Sequence, residues 1–337
     1  MSIGLDIGSQ TIKIIELSGD KNKHLKAAGA VSLSFEIDIA NLKDEKTMSS
    51  LAQVIKKLAS DAKISGKRVN IAIPESKVFT RVLKFPLLTD QEIDSAVKWE
   101  AEEYIPIPIE EAVIQHQIID RRESSSPPQA LVLLVAAPKT LAENYIKIVD
   151  MAGFDVESAE NSLTALNRNL SLSDKTVVIV DIGASSSDIA ISQKGQLYFS
   201  RSVPTAGNAF SRAVAQSLGV SPDQAQQYKK TYGLNQDQLE GKIYQSLSPI
   251  VGALGEEVKK SIHYHQNENQ GEAPSILILT GGSAAMPGVT SLFARYTGLE
   301  VSVANPFAKI SVDQKSANNL SKFAPLYAVA VGLALRS

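Results

Sequence analysis

The sequence has no cysteine and almost no net charge, since 34 basic and 36 acidic residues leave a formal charge of −2. The absence of cysteine excludes disulfide bonds, thiol nucleophiles and cysteine metal sites. The basic residues are scattered singly or in pairs, so the chain lacks the basic patch that attracts nucleic acid. Its longest apolar runs, such as Ala130 to Ala137, are far shorter than the roughly 20 residues that span a bilayer. We therefore expect neither nucleic acid binding nor a transmembrane helix.

The opening of the chain also lacks the pattern of a secretory signal peptide. Met1 and Ser2 lead directly into an apolar, strand-like stretch, without a basic segment, a longer apolar segment and a cleavage site in succession. This favours the cytoplasm. With 337 residues, of which 44% are hydrophobic, the chain can bury more than one core, and two domains are the natural expectation.

Strand patterns alternate with helix patterns along the first 73 residues. Ser2 to Ile7 and Thr11 to Leu17 are short apolar runs on either side of a polar turn, which predicts a β-hairpin. Lys46 to Ala62 has the helical spacing of apolar residues, and Val69 to Ile73 is typical of a strand. The same alternation returns from Thr176 onward, which predicts an α/β fold in each half.

Between the two halves lies a segment of different texture, from Pro74 to about Phe154. It contains alternating, strand-like stretches, a helix with Thr89 and Glu92 at the spacing of a capping box, and a loop rich in serine and proline. About 80 residues suffice for a compact α+β unit, so the segment predicts an inserted module. Trp99 lies in the capped helix, and we predict that it belongs to the core of this module.

Two stretches of the chain echo each other: LDIGSQTIKIIEL at Leu5 to Leu17 and VDIGASSSDIAIS at Val180 to Ser192. In each, an Asp ends a buried strand and a Gly two residues later permits close approach of a ligand. The turn that follows presents backbone N–H groups, which can hold phosphate oxygens. A Gly-Gly turn in LTGGSAAMPG follows a third strand. Each hairpin taken singly fits an ordinary turn, but together they favour an internal duplication that clamps a polyphosphate.

These motifs resemble those of the actin-like ATPase superfamily, which includes actin, Hsp70, sugar kinases and FtsA. In that superfamily a first phosphate loop, a second phosphate loop and an adenosine loop follow in this order. Within it, the chain is most similar to the PilM-like branch of type IV pilus assembly proteins, through GLDIGSQTIKIIEL, IAIPESKVFTRVLKFP and DQEIDSAVKWEAEEYIPIP. The resemblance covers essentially the whole chain. It implies an α/β, actin-like two-lobe ATPase fold of the duplicated ribonuclease H-like type, with an inserted α+β module.

The resemblance also implies a division of the chain into three parts. The first lobe would comprise residues 1–73 and 154–175 with 325–337. The inserted module would comprise residues 74–153, and the second lobe residues 176–324.

The resemblance further implies that ATP or ADP binds with Mg²⁺ between the lobes. Asp6 and Asp181 would orient the ion on the phosphates, because two carboxylates aimed at a polyanion need a bridging cation. The residues that would hold the phosphates are Gly8, Ser9, Gln10, Thr11 and Lys13 in the first hairpin, and Gly183, Ala184, Ser185 and Ser186 in the second. Gly207 and Asn208 would bring the start of a helix near the nucleotide. The residues that would lie near the nucleoside are Gln226, Lys229, Gly281, Gly282 and Ser283.

Two departures from the family pattern bear on the strength of nucleotide binding. Relatives carry Ala-Glu-x-x-Lys on a helix of the second half, whereas this chain has Ala225, Gln226 and Lys229 at those positions. A Gln bonds a ribose hydroxyl more weakly than a carboxylate does. The second loop also lacks the usual Gly-Gly-Gly-Thr, which reduces its backbone freedom.

Catalysis has one candidate residue. Family members that hydrolyse ATP use Gln, Glu or Asp to position the attacking water, and Glu160 is the nearest counterpart. A helix-capping or surface Glu is an equally good interpretation of this residue. His263 and His265 lie two apart on a helical stretch and point to nearly opposite sides, which predicts surface or interface residues rather than a metal pair.

Three functions are compatible with these features. The resemblance favours an ATP-binding cytoplasmic scaffold of a type IV pilus assembly complex, at most a slow ATPase, that reaches the inner membrane by binding the cytoplasmic tail of a PilN-like membrane protein and other pilus assembly proteins. One alternative is a small-molecule kinase, which needs a substrate pocket and an Asp base. The other is an FtsA-like filament-forming cell-division protein, which normally carries an amphipathic helix beyond a linker. Self-association stays open.

Overall fold

A computed structural model describes residues 1–267 and 271–336 of the chain, so Ser337, the last residue of the predicted first lobe, lies outside the described residues. The strands are β1 (Ser2–Ile7), β2 (Thr11–Ser18), β3 (His24–Ser32), β4 (Arg68–Ile73), β5 (Phe79–Pro86), β6 (Ala112–Arg122), β7 (Gln129–Pro138), β8 (Asp155–Asn161), β9 (Val177–Ile182), β10 (Ser187–Gln193), β11 (Gln196–Val203), β12 (Ile276–Thr280) and β13 (Glu300–Val303). The α-helices are α1 (Glu45–Asp61), α2 (Asp90–Tyr104), α3 (Lys139–Met151), α4 (Ser162–Leu170), α5 (Gly207–Leu218), α6 (Pro222–Tyr232), α7 (Lys242–Asn267), α8 (Val289–Thr297), α9 (Gln314–Leu320) and α10 (Ala328–Ala334).

The two large sheets follow one plan. The first has the strand order β3-β2-β1-β4-β8, and the second has the order β11-β10-β9-β12-β13. In each, three antiparallel strands continue into two parallel ones. The predicted duplication and the actin-like α/β fold class are therefore confirmed. Because β1 and β9 are central strands with apolar residues on both faces, each phosphate-type turn begins at the end of a buried strand.

Helix α10 packs against the first sheet so closely that backbone atoms of the two elements approach each other. A Cβ built on Gly4 of β1 would lie 2.0 Å from the carbonyl oxygen of Ala330, and one built on Gly332 would lie 2.0 Å from that of Ala165 in α4. Glycine at these positions permits a close approach that any side chain would prevent. The run of small residues in α10 thus lets this helix pack closely against β1 and α4.

The third sheet, of order β5-β7-β6, belongs to the inserted module and is covered on both faces. Helix α2 covers one face with Ile93, Val97 and Ala101, while the opposite face, which includes Leu131, packs against α4 and the second sheet.

Trp99 is 76% exposed, so the prediction that it lies in the module core is wrong. The buried residues of α2 recur every four positions, and Trp99 lies two residues from Val97, on the far side of the helix.

Helix α3 packs with the first lobe although it follows the module in sequence. Its residues Leu141, Tyr145, Ile148 and Val149 are buried in the same cluster as strands β1 and β4 and helix α1. The division of the chain into parts stays a prediction. On this packing we propose to end the module at Pro138, before α3, rather than at residue 153.

Helix α7 buries one of the two histidines that we expected at the surface or at an interface. The ring of His265 is fully buried and lies edge-on to the ring of Tyr198, with centroids 5.8 Å apart. A Cβ built on Gly271 would overlap the imidazole, so the backbone of that glycine covers the ring. The prediction was wrong for His265 because spacing along a helix does not show that another segment folds over it.

Candidate functional site

The first hairpin holds Asp6 and Lys13 as an ion pair. The two residues lie opposite each other in the β1–β2 register, and Lys13 Nζ lies 2.8 Å from Asp6 Oδ2. Lys13 is only 8% exposed, so it is not a solvated strand residue. The turn closes where the N–H of Gly8 donates to the carbonyl oxygen of Thr11 at 3.0 Å. The hairpin thus places a positive side chain directly beside its Asp.

The second hairpin repeats this turn and is bonded to the start of α5. The N–H of Gly183 donates to the carbonyl oxygen of Ser186 at 3.0 Å, the same closure as in the first hairpin. The N–H groups of Gly207 and Asn208 donate to the carbonyl oxygens of Gly183 and Ala184, at 3.1 and 2.9 Å. The N-terminus of α5, which carries the partial positive charge of the helix, therefore lies next to this turn.

The turn after β12 passes against the second hairpin. Gly281 has a φ of +86°, and a Cβ built on it would lie 2.2 Å from Asp181 Oδ1. The N–H of Ser283 donates to the carbonyl oxygen of Ile182 at 3.2 Å. Gly282, by contrast, has room for a side chain, since a Cβ built on it would lie 3.7 Å from its nearest neighbour, Leu326. Only glycine at Gly281 lets the chain turn this close to the carboxylate.

Lys229 joins the same cluster from helix α6. Its Nζ donates to the carbonyl oxygen of Gly207 at 2.9 Å. Burial lowers the pKa of Lys229 to about 8. A Cβ built on Gly207 would lie 2.9 Å from Ser283 Oγ and 3.3 Å from Lys229 Nζ, so these residues surround the glycine. Gln226 lies one turn earlier on α6 and is exposed.

The two hairpins meet across the cleft between the lobes. Ser9 Oγ and Ser185 Oγ are 2.6 Å apart, although the residues are separated by 176 positions. Glu36, in the segment after β3, accepts hydrogen bonds from Ser185 and Asn208. Sequence reasoning missed Glu36, because no motif surrounds it. The structure thus brings together the predicted residues of both hairpins, with Gln10 and Thr11 completing the first turn.

Asp181, at the centre of this cluster, holds its proton more tightly than an ordinary carboxyl group. Burial, together with the negative charges of Asp188 and Asp6, raises the pKa of Asp181 to about 7, and the charge of Lys13 opposes the shift. Crowded carboxylate oxygens of this kind suit a hard cation, which removes the repulsion between them. Mg²⁺ is commonly bound by one or two carboxylates plus phosphate oxygens, and the donor set of Asp6 and Asp181 fits that arrangement.

Glu160 is held by two arginines. Its carboxylate accepts hydrogen bonds from Arg168 at 2.6 Å through both oxygens and from Arg336 at 2.8 Å. The Glu160 side chain is 7% exposed, and Arg168 also donates to the carbonyl oxygen of Gly332 in α10. These contacts tie β8, α4 and the end of the chain together, as a structural ion pair does. Its catalytic role stays a prediction that this geometry does not support.

Two duplicated lobes with paired phosphate-type hairpins define an actin-like fold, and comparisons with known proteins narrow the class. A family model described as "Type IV pilus assembly protein PilM" matches residues 4–337, so the chain belongs to this family. It is similar to a chain of a solved "PilM-PilN type IV pilus biogenesis complex", with 27% identity, a TM-score of 0.84 and coverage of 99% of this chain and 98% of that one.

More distant relatives have the same architecture. MreB5 of Spiroplasma citri, solved bound to AMPPNP, shares the fold at 16% identity with a TM-score of 0.52, over 98% of this chain and 93% of its own. The cell division protein FtsA of Bacillus subtilis is 26% identical over 61% of this chain. This chain matches 54% of that FtsA, about half its length. None of the helices in the described part of the chain is long and apolar enough to cross a membrane.

Proposed function

We propose that this protein is a nucleotide-binding scaffold of a type IV pilus assembly complex, located at the cytoplasmic face of the inner membrane. The observation that carries the proposal is the match, over nearly all of both chains, to the chain solved in the PilM–PilN complex. Membership of the PilM family supports it independently. A small-molecule kinase or a filament-forming cell-division protein receives no comparable support.

The nucleotide is ATP or ADP, and it lies between the two hairpins. Mg²⁺, bound by Asp6 and Asp181, supplies the positive charge that lets these carboxylates approach the phosphates. The turns that begin at Gly8 and Gly183 donate backbone N–H groups to the phosphate oxygens. Lys13, already paired with Asp6 at 2.8 Å, adds a charge on the first-lobe side.

The nucleoside lies on the side of the second lobe. Gly281, Gly282 and Ser283 form its floor, and Lys229 and Gln226 approach it from α6. The packing of Gly207 against Ser283 and Lys229 supports this placement. These three residues are remote in sequence, yet they lie together on one side of the cleft. Because Gln226 replaces a carboxylate, we expect weaker discrimination at the ribose than in relatives that have Glu there.

The output of the scaffold is the binding of a short peptide, the cytoplasmic tail of a PilN-like inner-membrane protein. We place this peptide in the groove between the first lobe and the inserted module. The module offers the outer strands β5 and β6 of its sheet, whose outer edges pair with no further strand among the described residues and so suit strand addition by an extended peptide. Binding of such a tail brings the protein to the membrane.

Calorimetry tests this function with a synthetic peptide of the PilN-like tail and the full chain, and hydrogen exchange locates the peptide. A deletion of residues 74–153 is unsuitable, because that range includes α3, whose side chains fill the first-lobe core. We expect saturable binding of the peptide, with slower hydrogen exchange in the module and the first lobe. A scrambled peptide should neither bind nor slow the exchange. Slower exchange confined to the second lobe, or no binding, would contradict the docking site or the function, respectively.

A further inference from the structure

The carboxylate of Glu36 bridges the two lobes at the predicted phosphate site. Glu36 Oε1 accepts a hydrogen bond from Ser185 Oγ at 2.5 Å, and Oε2 accepts one from Asn208 Nδ2 at 3.1 Å. Because each hydroxyl carries one proton, Ser185 gives its proton to Glu36 and accepts that of Ser9 at 2.6 Å. A chain of hydrogen bonds therefore runs from the first hairpin through the second hairpin to Glu36.

The backbone around Glu36 is fixed to the first hairpin. On one side the N–H of Leu33 donates to the carbonyl oxygen of Gln10 at 2.8 Å, and on the other the N–H of Ile37 donates to that of Ser9 at 2.9 Å. Ile37 is also buried in the first-lobe core. Glu36 is thus part of the first lobe, and its carboxylate reaches across the cleft to the second.

The groups that hold Glu36 belong to residues predicted to hold the phosphates or to lie near the nucleotide. Ser185 belongs to the second hairpin, and Asn208 is the second residue of α5, at the end of the helix that carries a partial positive charge. A carboxylate bound there satisfies the same hydroxyl and amide donors that a phosphate oxygen would use. Two anions cannot share these donors, since they compete for the same protons and repel each other.

We propose that Glu36 is an internal substitute for phosphate that latches the lobes together when the site holds no nucleotide. The terminal phosphate of the bound nucleotide displaces Glu36, takes over Ser185 and Asn208, and so releases the latch. This inference rests on the proposed nucleotide site. On this proposal Glu36 lowers the affinity for nucleotide. It also couples the binding of nucleotide to the distance between the lobes.

The test compares Glu36→Gln with Asp38→Asn in the full chain. Asp38 carries the same charge two residues away, but it accepts hydrogen bonds from Lys77 and Asn41 rather than from the second lobe. Isothermal calorimetry with Mg-ATP measures affinity. We expect Glu36→Gln to bind Mg-ATP about tenfold more tightly than the wild type does. This factor corresponds to the free energy of one exposed charged hydrogen bond that the phosphate no longer has to break, together with the repulsion that is removed. Asp38→Asn should change the affinity much less.

A second readout separates a latch from a simple charge effect. Because the chain has no cysteine, spin labels can be attached at Lys57→Cys on α1 and Gln216→Cys on α5, which are both exposed. Without nucleotide, we expect Glu36→Gln to show a broader distance distribution between the labels than the wild type, because the hydrogen bonds that join Glu36 to the second lobe are weakened.

The possible outcomes distinguish the latch from the nucleotide site itself. If wild type binds Mg-ATP and Glu36→Gln matches Asp38→Asn in affinity, the displacement is refuted while the proposed function stands. If the label distances of Glu36→Gln without nucleotide equal those of the wild type, the latch is refuted. If neither wild type nor variants bind Mg-ATP, the proposed nucleotide site falls, and the displacement falls with it.

Discussion

Replacing Gly281 by Ala should damage the nucleotide site through a single methyl group. Gly281 has a left-handed backbone, with a φ of +86°, and the added Cβ would lie 2.2 Å from Asp181 Oδ1 and 2.7 Å from the carbonyl oxygen of Ile182. The backbone oxygen cannot move aside, so Asp181 has to swing away. Gly298 provides a matched control, because it has a φ of +71° and no heavy atom within 4 Å of its Cβ position.

The two substitutions share one energetic cost and differ in another. A left-handed backbone costs an alanine about 1–2 kcal/mol in either position. The overlap at Gly281 adds about 1–3 kcal/mol, the usual cost of inserting a methyl group into packed surroundings. With roughly 2 °C of melting temperature per kcal/mol in a chain of this size, Gly298→Ala should lower the melting temperature by about 2–4 °C and Gly281→Ala by about 4–10 °C.

The assay is a melting curve of each variant with and without Mg-ATP. A ligand present at about 100 times its dissociation constant stabilises the native state by about 2.7 kcal/mol. Wild type and Gly298→Ala should show this stabilisation in full, and Gly281→Ala should lose most of it because Asp181 no longer points at the ion. Equal melting temperatures and equal Mg-ATP shifts for the two variants would refute the proposed contact between Gly281 and Asp181.

The site supports three further predictions. Asp181 keeps its proton to about pH 7 in the folded chain but only to about pH 4 when unfolded. Stability therefore falls as pH rises between these values, and Asp181→Asn should raise the melting temperature without ligand more at pH 8 than at pH 5; an equal gain at both would contradict this. Glu160→Gln weakens charged hydrogen bonds to two arginines and should cost about 1–3 kcal/mol of stability while leaving the Mg-ATP shift unchanged; a smaller Mg-ATP shift would contradict a purely structural role. Phosphate release should stay below about one turnover per second, and tens per second would contradict a scaffold role.

The two hairpins could be predicted from the sequence because their determinants are local. An apolar strand, an Asp, a Gly two residues later and a second apolar strand specify each hairpin within about a dozen residues. The repetition of this pattern then implied two similar lobes, which the matching strand orders of the two sheets confirm. Trp99 shows that periodicity must be applied strictly, because Ile93, Val97 and Ala101 already define the buried stripe on the opposite side of α2.

The partners that cross between remote segments could not be predicted in this way. Glu36 bonds to Ser185 and Asn208, which lie 149 and 172 positions further along the chain. No motif near Glu36 in the sequence indicates that it belongs to the site. Helix α3 has an ordinary amphipathic pattern, which predicts which face is buried but not which lobe that face packs against. His265 is buried by a segment that begins beyond its own helix.

By itself, then, the sequence determined the strands, the turns and the pairing of an Asp with a Gly in each half, because backbone preferences and hydrophobic periodicity act over a few residues. Only the tertiary structure decided that the serines of the two turns touch, that Glu36 bonds to the second of these serines from the first lobe, and that Glu160 is bound by two arginines. These contacts join segments that are remote in sequence, so they depend on how the strands and helices pack in three dimensions. Packing is set by the summed fit of many side chains rather than by any one local pattern.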